Sequence, residues 1–350
     1  MTGAPDQAGA PDQAGAQARA AGALYGLAIG DALGMPTESL PRSQVVARYG
    51  PLLDWFQPGA ADQPLAPGLA AGTVTDDTEQ ALLLAGLLIE DGGRIDAAEF
   101  ARRLLGWEES VRLRGSLSLL GPSTKRALAA LLAGTDIAET GRYGSTNGAA
   151  MRITPVGVAT PGDDLGRLVD QVVEASWVTH NTGVALAGAA AVAAAVSAGV
   201  AGAPVPEATD AAIAAASLAA GRGHWVAAAD VAARIRWAAG LTAGQHREAA
   251  LDIVYTLVGT SLASQESVPA AFAILAAAPD DPWLACRMAA SVGGDTDTVA
   301  AMAGAVAGAC HGVTAFPAEA RRTVAEVNGL RLDEMAAGLL ALRAAGGWAA

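Results

Sequence analysis

Aromatic side chains are scarce, at 4% of the 350 residues, so the core of this chain cannot be assembled from large rings. With 52% apolar residues, the interior falls mainly to Ala, Val and Leu. Small side chains let helices approach closely, and Ala is the strongest helix former. The β-branched alternation that marks half-buried strands is nearly missing. Composition therefore predicts a compact all-α protein. There are two cysteines, Cys286 and Cys310, in apolar stretches without CxxC spacing, which argues against a disulfide framework or a zinc site and for reduced core thiols. Of the four histidines, His180 stands out because Thr179-His180-Asn181 interrupts two helical stretches. Neither HExxH spacing nor a Ser-His-Asp arrangement is visible, which leaves a zincin or serine hydrolase without support.

Basic residues are also few, 22 Lys and Arg against 35 Asp and Glu, giving a formal charge of −13. Non-specific binding to nucleic acid rests on cations neutralising phosphates, so no nucleic-acid partner is expected. The N-terminus lacks the basic-then-apolar pattern of a secretory signal, and a cytoplasmic monomer is the default expectation. Val184 to Ala203 runs twenty residues without a charge, long enough to span a membrane, but it is mostly Ala and Gly and reads as a buried central helix.

Residues 1–20 hold a direct repeat, APDQAG at 4–9 and 10–15, and are expected to be a disordered tail ahead of one helical domain over 21–350. The stretch from Ala21 to Ser39 reads as a glycine-rich helix stopped by Pro36, with Asp31 a buried structural acid and Glu38 in the loop beyond. Residues 40–72, with five prolines, read as one long loop in which Trp55 and Phe56 serve as a lid tip or as anchors. Helical spacing recurs over 78–90, 96–106, 122–133, 165–178, 182–200, 207–220, 226–239, 244–258, 268–278, 282–290, 298–312 and 317–343, with a break near Asn328-Gly329.

Two helix starts carry the chemistry. Gly293-Gly294-Asp295-Thr296-Asp297-Thr298 and Gly72-Thr73-Val74-Thr75-Asp76-Asp77-Thr78 each set aspartates and threonines at a glycine-flanked turn before an apolar run. A first-turn carboxylate is an ordinary helix cap, and Asp76 with Glu79 fits a capping box. As a pair, the two motifs instead offer the oxygen ligands that hard divalent cations prefer. Brought together, their carboxylates would repel unless protonated or neutralised by metal. A third stretch, Gly141 to Thr154, contains the polar turn Gly144-Ser145-Thr146-Asn147-Gly148, whose backbone N–H groups suit an anion, followed by a helix start with Arg152 as a surface ion-pair residue.

These blocks together resemble the ADP-ribosylglycohydrolases: Gly30-Asp31-Ala32-Leu33-Gly34 with Glu38, Thr75-Asp76-Asp77-Thr78, Asn147-Gly148-Ala149-Ala150-Met151-Arg152, Thr179-His180 and Gly293 to Thr298, in order across about residues 21–345. The resemblance implies an orthogonal all-α bundle with two Mg2+ or Mn2+ ions held by Thr75, Asp76, Asp77, Asp295, Asp297 and Thr298. It implies catalytic roles for Glu38, Asp77 and Asp297, and a substrate pocket of Glu38, Gly144, Ser145, Asn147, Gly148, Met151 and His180. The implied reaction is hydrolysis at the anomeric carbon of ADP-ribose attached to a protein side chain or a small molecule. Two other readings stand beside it: a metal-dependent N-glycosidase of a small nucleoside-like or ribosyl metabolite, and a non-catalytic binding or structural protein on the same scaffold.

Overall fold

The computed structural model describes residues 13–113 and 121–346. Eighteen α-helices form among these residues, and the extended pairings are three isolated bridges with no strand. The all-α expectation is met.

Glycine spacing sets the centre of the fold. Gly22, Gly26, Gly30 and Gly34 recur every fourth residue along the Gln13–Gly34 helix and so share one face. That face lies directly on the Thr296–His311 helix. A methyl group built on Gly26 would sit 2.0 Å from the carbonyl oxygen of Gly304, and one on Gly30 would sit 2.0 Å from that of Ala300. The two backbones are therefore in contact, closer than any side chain permits. The seam runs to the end of the first helix, where a methyl on Gly34 would meet the Cα of Asp297 at 2.4 Å.

The Gly183–Val200 helix is long and apolar enough to cross a membrane by composition, yet 94% of it is buried among the other helices. Thr182 caps it, accepting from the backbone N–H of Ala185 at 3.4 Å. It packs on the Leu165–His180, Val205–Ala219 and Thr296–His311 helices, as the reading of a central helix requires.

Several expectations are corrected. The first helix starts at Gln13, inside the second repeat copy, so the predicted tail over 1–20 is too long; residues 1–12 lie outside the described residues. Tertiary docking overrides the polar, glycine-containing composition: Ala20 is fully buried and the Arg19 guanidinium donates to the Val200 carbonyl at 3.0 Å. The 40–72 stretch is not all loop, because Arg42–Tyr49 is helical. Trp55 and Phe56 are anchors, packed on each other at 5.3 Å between ring centroids and on Trp283 at 5.4 and 6.4 Å. The helix expected over 226–239 begins at Val231, where the Asp230 carboxylate accepts from Ala233 at 2.7 Å. Residues 244–258 divide into an α-helix over Arg247–Ile253 and a π turn over Val254–Val258. The break near Asn328 is present, with Gly329 left-handed at φ 64°.

Candidate active site

The site forms where two helix N-termini converge. The Asp76–Glu90 helix is capped by Thr75, whose hydroxyl accepts from the Asp77 N–H at 3.4 Å, and not by Asp76. Asp31, from the first helix, completes the cap. Its carboxylate accepts from the Thr75 N–H at 3.0 Å, the Thr78 N–H at 3.1 Å and the Thr78 hydroxyl at 2.5 Å. Asp31 is thus the structural acid the sequence indicated. The capping box fails because Glu79 accepts from the indole of Trp107 instead.

The second helix start is held by a turn that needs glycine. Gly293 and Gly294 have φ of 88° and 86°, a region costly for residues with a Cβ, and a methyl on Gly294 would lie 2.3 Å from the Thr260 hydroxyl. Gly294 pairs with the strand-like stretch after Glu38: Ser39 donates to the Gly294 carbonyl at 2.7 Å, and Gly294 donates to Leu40 at 2.9 Å. Ser39 adopts φ 60°, the one non-glycine residue with positive φ among the described residues. This pairing sets Glu38 beside Asp295, whose own N–H donates to Thr260 at 2.8 Å.

Glu38, Asp295 and Asp297 each bring a carboxylate oxygen to within 4.8 Å of the other two. The threonines interlock the motifs: the Thr75 hydroxyl lies 3.4 Å from Asp297 Oδ2, and the Thr298 hydroxyl 3.3 Å from Asp77 Oδ2. Asn147 donates to Asp295 and, at 3.0 Å, to Ser267, and Gln80 donates to Asp76 at 2.9 Å. Asp295 makes no side-chain cap bond. Asp77 Oδ1 and Asp297 Oδ1 are buried with no hydrogen-bond partner.

Those two orphaned oxygens test the cation reading. Burying an unpaired carboxylate oxygen is costly, and here two face a site whose other ligands are also carboxylates and hydroxyls. Burial, followed by neighbouring carboxylates, pushes Glu38, Asp77 and Asp297 well above the usual carboxylate range, and burial raises Asp295 to about 6. An all-oxygen donor set lacking His and Cys fits a hard divalent cation and not zinc.

Two hollows meet at this acidic floor. One, of about 250 Å³, is lined by Glu38, Asp76, Asp77, Asp295, Asp297 and Thr298 below and by Thr146, Asn147, Gly148 and Met151 at the side. Thr124 and the basic Lys125, at the start of the Pro122–Leu132 helix, line its other side; the sequence reading missed both, having treated that segment only as a helix. The other hollow, of about 570 Å³, lies past Glu38 and Asp295, and Leu65 and Leu262 line both. Leu262 is held in place because its carbonyl accepts from the Asn147 N–H at 2.9 Å.

Three of the residues expected to line the pocket do not. Gly144 is pressed on the Thr179 backbone, where a methyl would meet its carbonyl oxygen at 2.0 Å, and the Ser145 carbonyl accepts from Ser264. His180 is fully buried one layer back: a methyl on Gly148 would lie 2.8 Å from its Cε1, and its Nε2 bonds the Thr146 hydroxyl at 3.0 Å. Arg152 is no surface residue. It is 1% exposed, stacks on Phe100 at 5.1 Å, and donates to Gln80 Oε1 at 3.0 Å and to the Thr179 hydroxyl at 2.7 Å.

The class defined by fold and site is an all-α pocket protein whose two helix starts gather carboxylates in a cluster able to hold a metal ion under a cleft. The chain belongs to the ADP-ribosylglycohydrolase family, whose model matches residues 12–348. It is 38% identical over 327 residues to the uncharacterised protein YegU of Escherichia coli K12, covering 93% of this chain and 97% of that one. It is 32% identical over 164 residues to the ADP-ribosyl-[dinitrogen reductase] glycohydrolase of Rhodospirillum rubrum, covering 47% and 51%. A solved ADP-ribosylglycohydrolase-related protein complex matches at TM-score 0.66 and 27% identity, covering 95% of this chain and 99% of that one.

Proposed function

We propose that this chain is a metal-dependent glycohydrolase that removes ADP-ribose from a modified protein side chain or a small ADP-ribosyl conjugate. The observation that carries the reading is the pair of unpartnered, buried oxygens on Asp77 and Asp297 at the floor of the cleft. Thr75, Asp76, Asp77, Asp295, Asp297 and Thr298 would hold two magnesium or manganese ions. When bound, such ions supply Lewis acidity and a water of lowered pKa at neutral pH.

The chain's own residues do the rest. Asn147 fixes the orientation of Asp295, and Gln80 that of Asp76. Lys125 and the Thr146-Asn147-Gly148 turn line the cleft, where the positive charge of the lysine favours a diphosphate. Glu38, which lines both hollows, would move a proton at the atom that leaves the anomeric carbon. The relationship to a relative named for removing ADP-ribose from dinitrogen reductase supports the substrate.

Titration of metal-free protein with magnesium, then ADP-ribose, tests the reading. The expected result is about two ions per chain and ADP-ribose affinity that requires them. No metal uptake would overturn it. The open hollow beyond Glu38 also favours a second reading, an N-glycosidase of a small ribosyl metabolite, which would bind two ions without binding ADP-ribose.

A further inference from the structure

The hollow on the far side of Glu38 and Asp295 has its own chemistry. Glu38, Asp295, Leu65 and Leu262 line both hollows, so the two adjoin at the Glu38 and Asp295 edge of the acidic floor. A glycosidic bond cleaved at this floor has its sugar on one side and its leaving group on the other. The Asn147 loop and Lys125 mark the first hollow as the side for the charged portion of the substrate. The second, which adjoins it, then offers the space for the group that departs.

Its walls are apolar. Pro41, Leu65, Tyr255 and Leu262 contribute hydrocarbon and ring surface, with Tyr255 37% and Leu262 42% exposed. Hydroxyls of Ser39, Thr260 and Ser261 are interspersed, and no charged side chain lines it apart from the shared Glu38 and Asp295. Of the acids nearby, Asp252 pairs with Arg42 at 3.3 Å, and Glu266, which does not line the hollow, accepts from the Ser261 hydroxyl at 2.7 Å. The lining carboxylates a guanidinium would meet here are Glu38 and Asp295 of the floor, whose charge a bound cation would already offset, so the wall itself adds no anion for it.

Two backbone anomalies border the same hollow. Ser39 carries the positive φ noted above, and Tyr255 sits in the π turn Val254–Val258. Strained φ/ψ and π turns concentrate at functional sites, where they aim side chains that regular backbone would not.

We infer that this hollow is the leaving-group subsite and that it selects an uncharged group with a planar or apolar face, such as a nucleobase or an aromatic amide, over an arginine side chain. The inference rests on the glycohydrolase reading for the identity of the bond. In the reaction, the bond between the anomeric carbon and the departing nitrogen breaks and the oxygen of water joins that carbon. One proton of water leaves, and the departing base takes up a proton and exits neutral.

Calorimetry on the magnesium-loaded protein, with benzamide, adenine and arginine as separate probes, tests it. Benzamide or adenine should bind, Tyr255→Ala should weaken that binding about tenfold while changing ADP-ribose affinity less than twofold, and arginine should not bind. Leu262→Glu should reverse the order by adding an anion to the wall. Arginine binding wild type more tightly than both aromatic probes would overturn the inference, as would probe binding indifferent to Tyr255→Ala and Leu262→Glu. If ADP-ribose fails to bind while the aromatic probes bind through Tyr255, the subsite stands and the ADP-ribose reading falls.

Discussion

Arg152 dictates which ring nitrogen of His180 carries the proton. A guanidinium only donates, so the Thr179 hydroxyl, 2.7 Å from it, accepts there. The hydroxyl's own proton then has two acceptors, His180 Nδ1 at 2.8 Å and the Ser176 carbonyl at 3.5 Å, and the shorter bond takes it. Nδ1 is thereby an acceptor, Nε2 bears the hydrogen and donates to Thr146, and the Thr146 hydroxyl is left to donate into the cleft. Burial, then the nearby guanidinium, lowers the imidazole well below its ordinary range, which keeps it neutral for this role.

Nitrogen NMR of the histidine rings should therefore show His180 as the Nε2–H tautomer at pH 7. His180→Gln, whose amide NH2 reproduces that donor, should retain ADP-ribose affinity within about threefold, whereas His180→Asn should lose about tenfold, the equivalent of one hydrogen bond. An Nδ1–H ring would contradict the assignment.

At its other end Arg152 fixes Gln80, whose Oε1 accepts from it so that Nε2 must donate to Asp76. Arg152→Met should cost about 3 kcal/mol of stability, as expected on breaking a buried polar network. It should also raise the magnesium dissociation constant about tenfold or more by freeing the Gln80 amide to turn. Denaturant unfolding and calorimetry, run on the same variant, separate the two effects.

Asp77→Asn and Asp297→Asn should each weaken metal binding by at least about tenfold and abolish the rise in melting temperature on adding magnesium. In metal-free protein the same variants should melt no lower than wild type, because each removes one charge from a mutually repelling cluster. Differential scanning fluorimetry with and without a chelator distinguishes a ligand from a helix cap, whose loss would lower both values.

The metal-free protein should be more stable at pH 5.5 than at pH 7.5. Asp31 and Asp295 are raised to about 6 by burial, so the folded chain binds protons that an unfolded chain, with carboxyls near 4, releases. The stabilisation is complete below about pH 4 and fades as pH rises through 6. Saturating magnesium, which competes with those protons, should flatten the slope; thermal melts across the range measure it.

Gly26→Ala should destabilise by about 3 kcal/mol or more, since a methyl 2.0 Å from the Gly304 carbonyl forces the two backbones apart. Gly92→Ala makes a useful control for glycine substitution as such, because nothing lies within 4 Å of the methyl it adds, although its φ of 60° brings a local strain.

The helices and the convergent acidic starts were legible because helical period, glycine turns and aspartate–threonine pairs are local signals. What the sequence misplaced depended on distant partners. Asp76 reads as a cap until Thr75 is seen to fill that place, backed by Asp31 from far earlier in the chain. Arg152 reads as a surface cation because an isolated sequence does not show Gln80, Thr179 and Phe100 closing around it. His180 was singled out, but its action through Thr146 is a matter of layers, and Lys125 and Leu262 belong to segments whose local pattern signals only helix or loop.

The glycine seam works as a gauge block for the chemistry at its end. Since Gly34 touches Asp297 backbone to backbone, the distance from Glu38 to the second helix start is machined by main chain and not by replaceable side chains. Anyone retooling this scaffold for new substrates should find the wall around Tyr255 and Leu262 forgiving, and should find that a single added carbon along the seam puts the acidic floor out of alignment.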